Sequence, residues 1–467
     1  VLAHGVVAMD TDVMIIGGGP AGLAAAMWQS HCSPPPRLLV LEAGARPGGW
    51  VRSERRDGYL CEHGPQAIRS TPQFSQIVAK LGLEDELVAA SPEASTRWLG
   101  RRGKLRAVPT KPLAMLGTGL LSLSGKFRLL REGRVPMQRA LDGGESVAAF
   151  CERRFGRETV PLVQAMLGGI FAGDASRLEV ASAMPSLTQL EAEHGSVMRG
   201  MRAKRQAKRA RGESGGSQPE IYSFEDGIEG LVNRLAEVVG DALEVDAPVE
   251  SVSQDGVGWT AHLRDGTQRR ASRLVLACPA RVSARLLKHA APELAVELAA
   301  IPFASLASVY LGLPIAKPPA KLSGFGFLLE NEPGTPVLGA IYASQLFPGH
   351  APAGHQLIRV MMGGSLHPNV VDCEDRDLID TAVATLQRYV GQKISPTFRH
   401  IVRCREAIPQ YELGHKQRMQ RITDLLSSSP GLRLCGNSYE GIAVTAQLGR
   451  DAGLRAAHEG SAEVAAR

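Results

Sequence analysis

Gly17, Gly19 and Gly22 stand in the pattern G-x-G-x-x-G, directly after the apolar run at 13–16 and directly before the helical pattern at 23–29. Glycines at this spacing do chemistry without side chains. The first permits a tight turn, the second lets backbone approach a diphosphate, and the third lets helix and strand pack closely. The next helix turns the positive end of its dipole toward the anion. Glu42 closes a second apolar run at 38–41, 20 residues beyond Gly22, where a carboxylate accepts hydrogen bonds from a ribose diol and repels a 2′-phosphate. Gly17, Gly18, Gly19, Pro20, Ala21, Gly22 and Glu42 therefore read as a dinucleotide site, with Pro20 where a first helical turn tolerates it.

The segment after Glu42 separates a flavin dinucleotide from a nicotinamide one. In AGARPGGWVRS, Ala43 adjoins the acid, Arg46 offers a cation, and Gly48 and Gly49 offer a second close backbone approach to the same diphosphate. A nicotinamide-dependent dehydrogenase needs no such element. The turn Glu62, His63, Gly64, Pro65 can bring backbone against a flat isoalloxazine ring. Near the other end, GNSYEGIAV places a glycine-rich turn before a helix expected to start near Ile442. The amides of Ile442, Ala443 and Val444 would then face the flavin and stabilise its anionic reduced form without a charged side chain.

These residues need a strand–helix–strand unit to hold them, and the runs at 13–16 and 38–41 with the helical pattern between them supply it. A strand at 432–435 and the helix near Ile442 return to the same unit from the far end of the chain. Strand-like segments recur at 242–252, at 274–277 and throughout 301–362, whereas 91–211 is helical in pattern with clustered basic residues. A chain of 467 residues, 44% hydrophobic, exceeds one ordinary core. We expect an α/β fold: a Rossmann-type FAD-binding domain from 9–90, 220–300 and 400–467, a helical, membrane-associating domain at 91–211, and a mixed-sheet substrate-binding domain at 301–399.

The net charge of +6 and pI near 9.0 favour an anionic partner without choosing one. The basic run at 199–211 has little aromatic interleaving, which argues against stacking on nucleic-acid bases. The longest apolar stretch, 112–123, falls short of the ~20 residues needed to cross a bilayer. Followed by Lys126, Arg128, Arg131 and Arg134, it suits the surface of an anionic membrane, with the chain peripheral. The seven cysteines are scattered and form no C-x-x-C pair, so we expect reduced thiols and no metal site.

The sequence resembles the flavin amine-oxidase superfamily and, within it, the protoporphyrinogen oxidase family. The fingerprint and the Arg-x-Gly-Gly element are common to the superfamily. FAGD at 171–174, GFGFLL at 324–329, MMGG at 361–364, IPQYELGH at 408–415 and NSYEGIAV at 437–444 are more specific, and the resemblance spans 12–457. It implies one non-covalent FAD per chain, with Ala43, His63, Gly64, Pro65 and Gln66 and, on a later strand, Val249 among its contacts. It also implies a cleft in which Arg97 pairs with a propionate, Gly169 lies beside FAGD, and Phe325, Leu328, Ile341 and Met361 sandwich a tetrapyrrole. Arg101 and Arg102 compete for the arginine role. The chemistry implied is six-electron oxidation of protoporphyrinogen IX to protoporphyrin IX in haem synthesis. Hydride passes to flavin N5, dioxygen is the acceptor, and no side chain is nominated as a catalytic base. For the membrane surface the resemblance implies the mitochondrial inner membrane in a eukaryote or the cytoplasmic face of the cell membrane in a bacterium. Where the family commonly has Asn-Asp-Cys after the last turn, this chain has Thr445, Ala446 and Gln447, so only the backbone contribution carries over there.

Other activities compete. An amine oxidase of the same superfamily would supply a lysine near flavin N5, and the strand expected at 305–313 has none. A carotenoid-type desaturase and a flavin-binding assembly factor remain as alternatives, and a homodimer stays open.

Overall fold

A computed structural model describes residues 11–109, 117–137, 143–211, 220–316, 318–331, 334–439 and 441–448. The strand Thr11–Ile16 is buried from Val13 onward and lies between the parallel strands Leu38–Leu41 and Gln268–Leu276, as a continuous apolar run in a covered sheet should. Trp259–Leu263 and Val249–Gln254 extend the sheet antiparallel, while Leu432–Leu434 adds to Gln268–Leu276 in parallel through Leu274↔Leu432. The two distant ends of the chain thus sit on either side of one strand. The helix Pro20–Ser30 is apolar nearly all round and buried from Ala21 to Gln29, the pattern of a helix enclosed on every face. Trp28 Nε1 donates to Leu448 O at 2.9 Å, tying it to the C-terminal turn.

A second seven-stranded sheet runs in the order Phe398–Pro409, Phe303–Leu313, Gln356–Gly363, Val337–Ile341, Gly326–Leu329, Arg97–Arg101, Lys104–Val108. Side chains alternate across it. Ala307, Val309, Phe327, Leu329, Ala340, Val360 and Met362 pack against Leu378, Leu386 and Tyr389 of the helix Asp375–Val390. The opposite face carries two cross-strand rows, Arg97–Gly326–Ile341–Arg359–Tyr310–His400 and Leu99–Leu328–Gly339–Met361–Ser308–Val402.

Two boundaries differ from the sequence reading. Arg97–Arg101 and Lys104–Val108 are strands of this second sheet, so the helical region does not begin at 91. Phe398–Pro409 is likewise its edge strand, although the sequence pattern assigns 400–467 to the dinucleotide domain. Both strands are separated in sequence from the sheet they complete, and alternation alone cannot say which sheet a strand joins.

The helical region proper includes Leu123–Leu130, Val147–Phe155, Val160–Phe171, Pro185–His194 and Val197–Ala210. Ser122 and Ser146 cap the first two by accepting from Gly125 N and Ala149 N, each cap contributing about 1 kcal/mol. At its centre Arg154 and Glu132, both fully buried, pair at 2.8 Å.

Candidate active site

The glycine loop at the end of Thr11–Ile16 leaves no room for side chains at three of its four glycines. A Cβ on Gly17, whose φ is +112°, would lie 2.9 Å from the Ala277 carbonyl; on Gly22, 1.9 Å from Gly17 O; on Gly18, 2.9 Å from Glu42 Cβ. Gly19 is the exception, with nothing within 4 Å, which is the open approach a diphosphate requires. No side chain caps the helix that starts at Pro20, so its first-turn amides face that space. Gly48 N donates to Gly18 O at 2.8 Å, and Gly49, φ +55°, places its own missing Cβ 3.7 Å from Gly19 Cα. This cradle fits a dinucleotide.

Glu42 is held from both sides. Its Oε2 accepts from Gly18 N and its Oε1 from Gly44 N, each at 2.8 Å, which fixes the carboxylate beside exposed Ala43. Asp246 N and Ala247 N donate to Gly44 O and Glu42 O at 2.9 Å, so the lead-in to Val249 lies against the same strand end. Arg46 differs from the expectation of an open cation. It donates to Pro47 O at 2.9 Å and Gly49 O at 3.1 Å and pairs with Glu229 at 3.2 Å, so its charge is answered within the protein and it organises the loop.

The turn after the hairpin Ser53–Arg56/Tyr59–Glu62 needs glycine too, since a Cβ on Gly64 would meet Trp50 O at 2.4 Å. Gly64 O accepts from Arg359 Nη1 at 2.8 Å. Pro65 comes next, and buried Gln66 approaches His350 Nδ1 at 3.3 Å, where burial pulls the His350 pKa down to about 4. His63 Nε2 lies 3.0 Å from Glu54 Oε2, and His400 Nε2 is 3.6 Å from the same oxygen. Nothing in the sequence pattern links those three. Burial lowers both histidines' pKa and pushes the neighbouring Glu62 up to about 7.

At the C-terminal end the helix is Val444–Gln447 with Ala443 as its cap, two residues later than expected, and Gly441 ahead of it stands at φ +119°. Ile442 packs against the helical cluster of Phe171 and Tyr411, and Tyr411 donates its hydroxyl to Asn437 O.

The positions implied for the cleft are brought together. Leu328, Ile341 and Met361 share one face of the second sheet, and each is half-buried, whereas Phe327, Ala340, Val360 and Met362 on the other face are buried. A Cβ on Gly169 would meet Leu328 Cδ2 at 2.6 Å, so the helix Val160–Phe171 lies directly over that face. Arg97 Cζ stands 5.0 Å from the Phe325 ring centroid. Desolvation and then the charge of Arg69 pull its pKa down, so an arriving carboxylate would relieve like-charge repulsion. Arg101 is already taken by Glu330 at 3.2 Å and Leu120 O at 2.7 Å, and Arg102, φ +51°, forms the turn between its strands.

The motifs acquire a mechanical meaning. Gln410 donates to Phe171 O at 2.8 Å and accepts from Ser365 Oγ at 3.0 Å, while Ser365 N donates to Ala172 O at 2.8 Å. FAGD, MMGG and IPQY thus form one clamp that sets the height of the helix above the sheet.

A profile of flavin-containing amine oxidoreductases matches residues 20–459. The chain belongs to that family. It is a flavin-dependent oxidoreductase with the mixed α/β sheets of the flavin amine-oxidase fold. Among relatives of this flavin amine oxidoreductase, coproporphyrinogen III oxidase of Bacillus subtilis (strain 168) is 29% identical over 92% of this chain and 94% of its own length. Protoporphyrinogen oxidase of Homo sapiens is 32% identical over 93% and 96%. A solved structure from Exiguobacterium sp. 255-15 superposes with a TM-score of 0.79 at 24% identity, covering 94% of this chain and 97% of that one.

Arg359 was missed by the sequence reading. Its signal was present: one charge inside the run LIRVMM, which is otherwise a fully apolar strand.

Proposed function

We propose that the chain is a porphyrinogen oxidase that holds one FAD non-covalently and passes electrons from protoporphyrinogen IX to dioxygen. The observation that carries this reading is the half-buried apolar face of Leu328, Ile341 and Met361, capped by Gly169 and ending at Arg97 on Phe325. A flat macrocycle wants an apolar slot, and its carboxylates want a guanidinium that holds both oxygens. Relatives matched over nearly their full length are named for porphyrinogen oxidation, which supports the same substrate class.

In this reading the bound flavin supplies the hydride acceptor. The chain's residues bind, orient and exclude water. Arg97 fixes a propionate at the mouth, Phe325 and Ile341 line one wall, and Leu328 and Met361 continue the slot under the helix Val160–Phe171. The cradle at Gly17–Gly22 with Glu42 anchors the dinucleotide end. Adding porphyrinogen anaerobically to the yellow protein should bleach the flavin's visible band, with porphyrin appearing on return of air; a band that persists would reject the activity. Acid precipitation should release all of the flavin into the supernatant, and flavin retained in the pellet would reject non-covalent binding.

The same reading includes peripheral contact with an anionic membrane. On the helix Leu123–Leu130, Leu123, Phe127 and Leu130 are 85%, 55% and 62% exposed, in an i, i+4, i+7 stripe. Arg131 lies over Phe127 at 4.3 Å, and Arg199 of the basic helix Val197–Ala210 donates to Gly133 O beside it. An exposed apolar stripe flanked by cations suits a headgroup boundary. Part of the stretch at 112–123 lies outside the described residues, and among those described no helix is long and apolar enough to cross a membrane. Sedimentation with phosphatidylglycerol vesicles should capture the protein and lose it with L123E/F127E; equal capture of both would reject this surface.

A further inference from the structure

Arg359 is 3% exposed, yet none of its described partners carries a negative charge. Nε donates to Ser308 Oγ at 3.0 Å, Nη1 to Gly64 O at 2.8 Å, and the guanidinium stands 5.6 Å from the Tyr310 ring centroid. Among the described residues no carboxylate lies within ion-pair distance of it. Among the described residues the other deeply buried arginine shows what is ordinarily required: Arg154, with no exposure, has Glu132 at 2.8 Å and Glu191 at 3.6 Å. An unanswered charge in a protein interior costs several kcal/mol, so it persists where something arrives to answer it.

The surroundings do not answer it. Cys61, Cys404 and Tyr310, all packed beside this strand, are pushed up by burial and stay neutral, Cys61 to about 12. His400 is held below its usual value and is neutral as well. Glu62 is an acid whose field reaches Arg359, and burial leaves it only partly ionised near neutral pH.

The location says what arrives. Arg359 bridges the two halves of the site as read above: it holds the carbonyl of Gly64, in the turn assigned to the flavin, and it neighbours Ile341 in the cross-strand row assigned to the cleft. We propose that Arg359 is a fixed buried charge that stabilises the negative charge placed on the flavin by an incoming hydride, and so raises the flavin's reduction potential. This rests on the flavin-site reading above. A hydride brings two electrons and one proton to the neutral oxidised ring, leaving one net negative charge, and a preorganised cation there needs no rearrangement.

The test uses the flavin-loaded protein with R359Q and R359K, each checked for flavin content and circular dichroism. R359Q should weaken sulfite addition to the flavin at least tenfold and lower the two-electron midpoint potential correspondingly, about 30 mV per tenfold. R359K, which keeps the charge, should stay close to the native values. Unchanged potential and sulfite affinity in R359Q would overturn the proposal. So would a rise confined to the KM for porphyrinogen, which would make Arg359 a substrate anchor. If R359Q cannot hold flavin, retention and a native potential in R359K support the charge role, and loss of flavin in both folded variants refutes it. A native protein that binds no flavin would instead refute the cofactor reading itself.

Discussion

Glu42 accepts the amide of Gly18 at 2.8 Å, so the end of the second strand and the diphosphate-facing loop form one hydrogen-bonded unit. The same carboxylate takes the Gly44 amide on its other oxygen. The loop cannot shift without breaking these bonds.

Glu42→Ala should therefore weaken FAD binding in two ways, by removing an acceptor and by loosening Gly18. A hydrogen bond to a charged group contributes about 1.5–3 kcal/mol, which corresponds to a tenfold to hundredfold loss. Titration of the apoprotein followed by flavin fluorescence quenching measures it. An unchanged dissociation constant would show that Glu42 serves only the loop of the empty protein.

Gly169→Ala should separate stability from turnover. In a helix interior this exchange ordinarily stabilises by about 1 kcal/mol. Here the new methyl would meet Leu328 Cδ2 at 2.6 Å, so Leu328 must swing into the cleft. The variant should fold well and bind flavin normally while its KM for porphyrinogen rises about tenfold. The double variant G169A/L328A returns the space and should recover most of the affinity. If G169A alone has a native KM, the helix Val160–Phe171 does not roof the substrate slot.

The dinucleotide cradle was legible in the sequence because backbone geometry dictates it: Gly17, Gly22 and Gly64 stand where any Cβ would strike a carbonyl. The cleft positions were legible only through resemblance, since Leu328, Ile341 and Met361 look like core residues until the register sets them on one face. The pairing of Arg46 with Glu229 was not legible because the two lie 183 residues apart and only the fold brings them near. The strands Arg97–Arg101 and Phe398–Pro409 were placed with the wrong neighbours for the same reason. Pairing such as Gly312↔Phe398 or Gly326↔Arg97, between residues far apart in the chain, leaves no local trace.

The buried pair in the helical region carries a stability prediction. Glu132 accepts from Val197 N at 3.1 Å and Met198 N at 3.2 Å as well as pairing with Arg154, which itself donates to Val135 O and Gly195 O at 2.8 Å. Glu132→Leu leaves Arg154 with the more distant Glu191, 3.6 Å from its Nε and shared with Arg153, and should cost about 3 kcal/mol. Replacing both by leucine should cost less than Glu132→Leu or Arg154→Leu alone, although the amides capped by Glu132 are then left bare. Urea midpoints of the three variants decide it, and an additive double variant would show that the two side chains do not depend on each other.

The last prediction concerns Glu62, which burial raises from 4.5 to about 7 against the opposing pull of Ile228 N, Ser53 Oγ and Arg359. The folded protein keeps a proton that the unfolded chain releases above 4.5, so this residue's contribution is fully favourable below that value and is lost as pH rises through 7. Buried His350 and His415, both pulled down to about 4, act in the opposite sense, with stability gained as pH rises from there to the ordinary histidine value. The sum is therefore uninformative and the difference is not. Relative to Glu62→Gln, the native protein should lose on the order of 3 kcal/mol between about pH 5 and about pH 8. Adding R359Q removes the attraction that favours the carboxylate and should move that loss to higher pH. Parallel urea unfolding curves for native protein and E62Q across the range would show instead that the Glu62 carboxyl titrates normally, and that Arg359 does have a charged neighbour at neutral pH.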